Sequence, residues 1–203
     1  MEVQTLIRIS GLQIHRGSRL VISDFDFELL EGEVVTLVGP NGCGKTTLLE
    51  SIAGMHTISS GSVYWKDDLS EMKLVRDSDG RRNSLPPMGL TLQKNGISGE
   101  ETVEERIKTV LTVSGCEFDD IKVLELLDCW GLKHRISDRV SQLSGGLARR
   151  LSVLSGLAPA LLSKKSRVVL LDEPSEGLDK SAKLLLINWL KALILRGHGI
   201  VIA

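Results

Sequence analysis

The sequence predicts an α/β protein, a mainly parallel sheet with flanking helices behind an N-terminal antiparallel β layer. Three observations carry that expectation. The apolar run Val34-Val35-Thr36-Leu37-Val38 passes through a glycine-rich turn into the helical pattern Leu48 to Ala53. Val168-Val169-Leu170-Leu171 is apolar without alternation, as a strand covered on both faces requires. Helix and strand patterns then alternate to residue 203, which implies parallel strands joined by helical crossovers.

Each element has its own signal. Residues 3–9 read as a strand that Gly11 breaks, and Leu12 to His15 begin another. Gly17-Ser18 turns the chain into an alternating strand through Val21, Phe25, Phe27 and Leu29. Glu31-Gly32-Glu33 leads into the strand at 34–38. Ser62 to Trp65 is a short strand, the polar stretch 66–87 reads as a surface loop, and Met88 to Leu92 is a strand ending at Gln93. Residues 100–132 read as helical, with a capping signature at Thr102-Val103-Glu104-Glu105 and a glycine stop at Gly131. Trp130 reads as packing. Ser144-Gly145-Gly146 opens a helix through about Ala158, stopped by Pro159. Residues 180–196 form a leucine-rich helix, and 199–203 a strand in which the sequence stops.

Bulk properties narrow the function classes. The 203 residues suit a single domain with a sizeable core, and 42% hydrophobic with 25% charged residues is a globular composition. A net charge of −1, with no basic tract longer than a pair, gives no electrostatic footprint for nucleic acid. The pairs Arg81-Arg82, Arg149-Arg150 and Lys164-Lys165 read as solvated faces. No apolar run reaches the roughly 18 residues of a membrane helix, and Met1 to Thr5 lacks a secretory pattern. The three cysteines, Cys43, Cys116 and Cys129, form no ligand cluster, and an odd count without CxxC fits a reducing compartment.

Three motifs carry chemistry. Gly39-Pro40-Asn41-Gly42-Cys43-Gly44-Lys45-Thr46-Thr47 has the spacing of a nucleotide-binding P-loop, which makes the parallel sheet a P-loop NTPase core. Its glycines let the loop curl with N–H groups inward around phosphate oxygens, and the following helix N-terminus adds positive potential. Lys45 would reach the β- and γ-phosphates of ATP, and the Thr46 hydroxyl would ligate Mg²⁺. Asp172 and Glu173 follow the apolar run 168–171, at a strand end where ligands of α/β sheets gather. Asp172 suits Mg²⁺, and Glu173 suits the water that attacks the γ-phosphate. Finally, Leu143-Ser144-Gly145-Gly146 opens a helix with a hydroxyl and free backbone N–H groups. Alone it is a common cap. Beside a P-loop it is a second anion-binding end, which suggests a nucleotide held between two copies.

Taken together, these residues resemble the nucleotide-binding domain of ABC-type ATPases. The ordered set is GPNGCGKTT at 39–47, Gln93, LSGG at 143–146, VVLLDEP at 168–174 and SEGLD at 175–179. The resemblance spans nearly the whole chain and implies one ABC ATPase domain over 1–203. Residues 1–92 and 151–203 would form the β layer and P-loop core, and about 94–150 a small helical subdomain that docks a membrane partner. It implies a head-to-tail pair, a homodimer or a second paired nucleotide-binding domain. In it, Lys45 and Thr46 of one copy face Ser144, Gly145 and Gly146 of the other, and Ser175 to Asp179 cross the seam. Gln93 would touch Mg²⁺ and the attacking water, so the catalytic set is Glu173 and Gln93, and the metal set Thr46, Gln93 and Asp172.

Four departures qualify the resemblance. Arg16 falls where the family stacks an aromatic residue on adenine. A guanidinium can take that role, and a solvated turn arginine is the equal alternative. Leu147 replaces the glutamine after LSGG. Cys43 replaces a common alanine or serine, read as a tolerated small residue beside the reading of a reactive thiol. The family's switch histidine would fall just past Ala203, and His198 reads as a turn residue, so either the sequence is truncated, which its stop inside a strand favours, or the protein lacks the residue; as it stands the chain is expected to bind ATP yet hydrolyse it poorly.

The leading function is the ATP-binding subunit of an ABC transporter, peripheral on the cytoplasmic face of the membrane, that hydrolyses ATP to drive transport through a separate membrane subunit. Its compact length and Arg16 resemble the small haem-exporter ATPases of cytochrome c maturation. The alternatives are a soluble non-transport ABC ATPase and an ATP-dependent regulatory module.

Overall fold

The computed structural model describes residues 3–81, 83–92 and 99–203. One four-stranded sheet joins, in spatial order, β2 (Arg19–Leu30), β1 (Thr5–Arg16), β4 (Ser60–Lys66) and β5 (Met72–Asp77), all antiparallel. The second joins β3 (Val34–Thr36), β8 (Gly199–Ile202), β7 (Val168–Leu171) and β6 (Gly89–Thr91), all parallel. Among the described residues, five α-helices accompany them: α1 (Lys45–Ile52), α2 (Val103–Val113), α3 (Asp120–Cys129), α4 (Gly145–Leu162) and α5 (Lys180–Leu195). The expected α/β class, with its separate antiparallel layer, is therefore what the chain forms.

The parallel sheet divides the core in two. Val169, Leu171 and Ile200 pack among α2 to α5, while Val168, Leu170 and Val201 pack with α1 and the antiparallel sheet. Successive strand side chains point to opposite faces, so covering both faces buries all four residues of β7. Each fully buried aliphatic side chain contributes about 1.5–3 kcal/mol. On one side, the Trp65 indole of β4 donates to the carbonyl of Ile52 at the end of α1, at 3.0 Å. On the other, Trp130 is fully buried and meets Trp189 of α5 edge-on at 5.7 Å, so its packing role holds.

Three local expectations are corrected. Gly11 does not end a strand. It sits at φ +56° in a register shift within β1, and the strand bends through a bulge and continues to Arg16. The polar stretch 66–87 is not all loop, because β5 pairs with β4 there and buries Val75. Its Lys73, Arg76 and Asp77 give it the charged look of an edge strand, which hid the alternation. Pro159 does not stop α4, which runs three residues further. The proline removes one intrahelical hydrogen bond, but its neighbours Leu157, Ala158 and Ala160 are fully buried. The helix end is held by the Arg196 guanidinium, which donates to Leu161 O at 2.8 Å and to Ser163 O.

The helical region 100–132 is two helices, parted by a turn at Gly115 with φ +65°. The predicted cap forms as a capping box: Glu105 N–H donates to Thr102 Oγ1 at 3.2 Å, and Thr102 N–H to Glu105 Oε2 at 2.7 Å.

Candidate functional site

Strands β3 and β7 are parallel, so the segments that follow them leave the same edge of the sheet. After β3 the chain curls through 38–43, all exposed, into α1. Gly42 and Gly44 have φ of +78° and +111°, conformations closed to most side chains. Gly44 is also pressed by the antiparallel sheet, since a Cβ there would lie 2.5 Å from Val21 Cγ1. Gly39 is small for a different reason: its Cβ would lie 2.8 Å from Cys43 Sγ across the loop. Lys45 folds back over this loop, its Nζ donating to Gly39 O at 2.7 Å and Pro40 O at 3.2 Å. Gly44 supplies no side-chain cap, so the first amides of α1 open into the same concavity.

Thr46 connects this loop to β7. Its hydroxyl donates to Asp172 Oδ2 at 2.7 Å, joining residues 126 apart in sequence. Asp172 is 2% exposed, and its N–H is held by Thr91 O at the end of β6, at 2.8 Å. Glu173 follows with φ +45°, a left-handed conformation that costs a non-glycine residue about 1–3 kcal/mol. Its N–H donates to Ala203 O, just past β8, at 2.9 Å. The two carboxylates therefore leave a turn pinned to both neighbouring strands.

Ser144, Gly145 and Gly146 are exposed at the start of α4, where Ser144 Oγ accepts from Leu147 N–H at 3.5 Å. Among the described residues no hydrogen bond joins them to the P-loop of their own chain. Leu147, in place of glutamine, packs against the core instead. Gln93 lies outside the described residues. Arg16, the last residue of β1, is solvent-exposed, as a solvated arginine would be, yet it is tied to the loop region. Its Nε donates to Thr47 Oγ1 at 2.9 Å and its Nη2 pairs with Glu50, so it lies along α1 beside the P-loop. His198, read as a turn residue, lies between the turn at 196–197 and β8; it is buried, and its Nδ1 accepts from Arg167 N–H at 3.0 Å.

Sequence reasoning missed Arg149. Read as half of a solvated pair, it is 5% exposed, donating from Nη2 to Glu173 O at 2.7 Å and from Nε to Glu176 O at 2.9 Å. Burial pulls its pKa down, and the carboxylates of Glu176, Asp172 and Glu173 oppose that shift. Arg150 is occupied as well, donating to Trp130 O at 3.1 Å and pairing with Asp179, the N-cap of α5. A signal was present: Arg149 shares a helical stripe with Val153, Gly156 and Ala160, all buried. An arginine on an apolar stripe is buried only with partners.

Among the described residues no group of three or more His, Cys, Asp or Glu side chains forms a metal cluster, and no helix is long and apolar enough to cross a membrane.

Comparison with known proteins agrees with this geometry. A family profile described as ABC transporter matches residues 22–176. The chain is 33% identical over 181 residues to the lipoprotein-releasing system ATP-binding protein LolD of Bacteroides fragilis, covering 88% of this chain and 80% of that one. It is 34% identical over 200 residues to the cytochrome c biogenesis ATP-binding export protein CcmA of Vibrio cholerae, covering 97% and 89%. Against the Nod factor export ATP-binding protein I of Rhizobium leguminosarum it is 31% identical and spans 60% of that longer chain. Among solved structures, an ATP-binding subunit of an ABC transporter superposes with TM-score 0.78 at 22% identity, over 97% of this chain and 78% of the other, a likeness of fold. The chain therefore belongs to the ABC transporter family, as one of its ATP-binding subunits, which are ATPases and partner with membrane transporter subunits.

Proposed function

We infer that the chain binds ATP with Mg²⁺ on Gly39 to Thr47, closes head-to-tail on a second nucleotide-binding domain, and hydrolyses ATP to drive transport through a separate membrane subunit. The observation that carries this reading is the 2.7 Å hydrogen bond between Thr46 and Asp172, which brings two distant motifs to one point. A hydroxyl and a carboxylate side by side are hard oxygen donors, the set that Mg²⁺ takes. Thr46 and Asp172 would hold the ion, which when bound neutralises charge on the phosphate oxygens.

The chain's own groups supply the rest. Phosphate oxygens would take the Lys45 ammonium from the carbonyls of Gly39 and Pro40, a stronger, charge-assisted partner. Loop amides and the α1 N-terminus would orient the phosphates. Glu173 would accept a proton from the attacking water, or orient it. Ser144, Gly145 and Gly146 would meet the nucleotide of the opposite copy, which their exposure at a helix start supports. Arg16, tied to Thr47 and Glu50 beside the loop, is the candidate to stack on the base. Residues of about 94–150 would serve as the helical subdomain that meets the membrane subunit on the cytoplasmic face. Relatives named for lipoprotein release, cytochrome c biogenesis and Nod factor export share this ATPase, which supports cargo selection by the partner.

The test is to tag the protein, extract host membranes in mild detergent and identify what co-purifies. A multi-spanning protein in stoichiometric amount is the expected result. Recovery only outside the membrane fraction, with ribosomes, nucleic acid or nothing bound, would overturn the transport reading.

A further inference from the structure

We propose that Arg149 is the positioning residue of the catalytic turn, fixing the direction of Glu173 and tying that turn to the Ser144–Gly146 end of α4. The inference rests on the role of Glu173 proposed above, and it names the residue that regulates it.

Glu173 is held at both its peptide groups. Its N–H is anchored on Ala203 O at 2.9 Å, and its carbonyl accepts from Arg149 Nη2 at 2.7 Å and from Glu176 N–H at 3.0 Å. A residue at φ +45° persists only where its surroundings over-determine it, and these contacts do so. With N–H and carbonyl both fixed, the Cα–Cβ bond has one direction, which limits the space the carboxylate can sweep before any substrate arrives. Such pre-alignment matters because a displacement of about 1 Å at a reacting group can cost 10²-fold in rate.

Arginine suits this task, and lysine does not. The planar guanidinium reaches two carbonyls at once, Glu173 O and Glu176 O, whereas an ammonium is a single point. The turn also closes on the arginine stem: a Cβ on Gly177 would lie 3.5 Å from Arg149 Cγ. Meanwhile Arg149 stands one turn beyond Ser144-Gly145-Gly146 on a continuous helix. A load on the open end of α4 therefore reaches the turn bearing Glu173 through a rigid element rather than a flexible one. In a head-to-tail pair, that element links the nucleotide held at the P-loop of one copy to the catalytic turn of the other.

The experiment compares Arg149→Lys and Arg149→Met in the full chain with three readouts: amide exchange of peptide 172–178 without nucleotide, ATP affinity by fluorescent-analogue titration, and steady-state ATP hydrolysis. Losing one of the guanidinium hydrogen bonds to this turn should raise exchange over 172–178 about tenfold and lower kcat about tenfold in Arg149→Lys, with ATP affinity within about twofold. Exchange over 145–162 should not move. Arg149→Met should show the larger loss, partly restored by added guanidinium ion. The proposal is overturned if Arg149→Lys keeps wild-type exchange over 172–178, or if exchange rises equally across the whole core. A wild-type chain that neither binds nor hydrolyses ATP defeats the functional reading instead, and exchange over 172–178 then decides the case of Arg149 alone.

Discussion

Lys45 donates to two neutral carbonyls, those of Gly39 and Pro40, at 2.7 and 3.2 Å. Replacing these with phosphate oxygens exchanges neutral acceptors for charged ones, at about 1.5–3 kcal/mol for a charge-assisted hydrogen bond. Lys45→Ala should weaken ATP binding roughly 10- to 100-fold, measured by fluorescent-nucleotide titration, and should leave the urea midpoint in place because the side chain supports nothing beyond its own loop. Equal affinity in the variant would remove Lys45 from the site. His198 gives a different kind of prediction. It is 1% exposed, and burial first, then the facing charges of Arg196 and Arg167, bring its pKa down from 6.5 to about 4. The folded state therefore holds the neutral ring while the unfolded chain protonates first. Stability from this group is complete above pH 6.5 and falls as pH drops toward 4, by about 3 kcal/mol in all. Chemical denaturation at pH 7 and pH 4.5 should show the loss, and His198→Asn should flatten that part of the profile. An unchanged slope in the variant would assign the acid sensitivity to other groups.

At the scale of elements, α4 rests on β6 at Gly156. A Cβ on Gly156 would lie 2.0 Å from Thr91 Oγ1 and 2.5 Å from Leu90 O, so helix backbone rests directly on strand backbone. Gly156→Ala gains about 1 kcal/mol of helix propensity, yet even with the Thr91 hydroxyl rotated away the Leu90 backbone stays in the path of the new methyl. The net expectation is a loss of roughly 1–3 kcal/mol, read as a lower urea midpoint at unchanged slope. A variant as stable as the wild type would mean that α4 can lift from β6. This contact was not legible in the sequence, since a glycine within a helix pattern announces no particular neighbour. What was legible is local. The P-loop, the Thr102–Glu105 cap, the buried run 168–171 and the Ser144 helix start are each specified by residues within one turn or strand. The misreadings are places where tertiary packing outvoted local preference: β5 under its charges, α4 past Pro159, β1 through Gly11. Arg149 belongs with them, because a basic pair looks solvated until the strand end that it grips is in place.

The whole molecule shows an asymmetry that a single copy does not resolve. Thr46 and Asp172 meet within the chain at 2.7 Å, while Ser144, Gly145 and Gly146 stand exposed at a helix start. A helix start rich in unsatisfied N–H groups is an anion site only when an anion is brought to it, and in the proposed pair the P-loop of a second copy brings it. Glu173→Gln keeps the size of the side chain but removes the proposed proton acceptor, so ATP should bind and persist. Turnover should fall about 10²- to 10⁴-fold, and with Mg²⁺ and ATP the variant should double in mass by light scattering. Adding Ser144→Arg to the same chain fills the helix start with a bulky side chain and should return it to single mass while its P-loop still binds ATP. If Glu173→Gln stays single in saturating ATP, the paired arrangement fails even though the nucleotide site stands. If Ser144→Arg leaves the doubled mass intact, the copies meet through another surface, and the exposed end of α4 requires a different ligand.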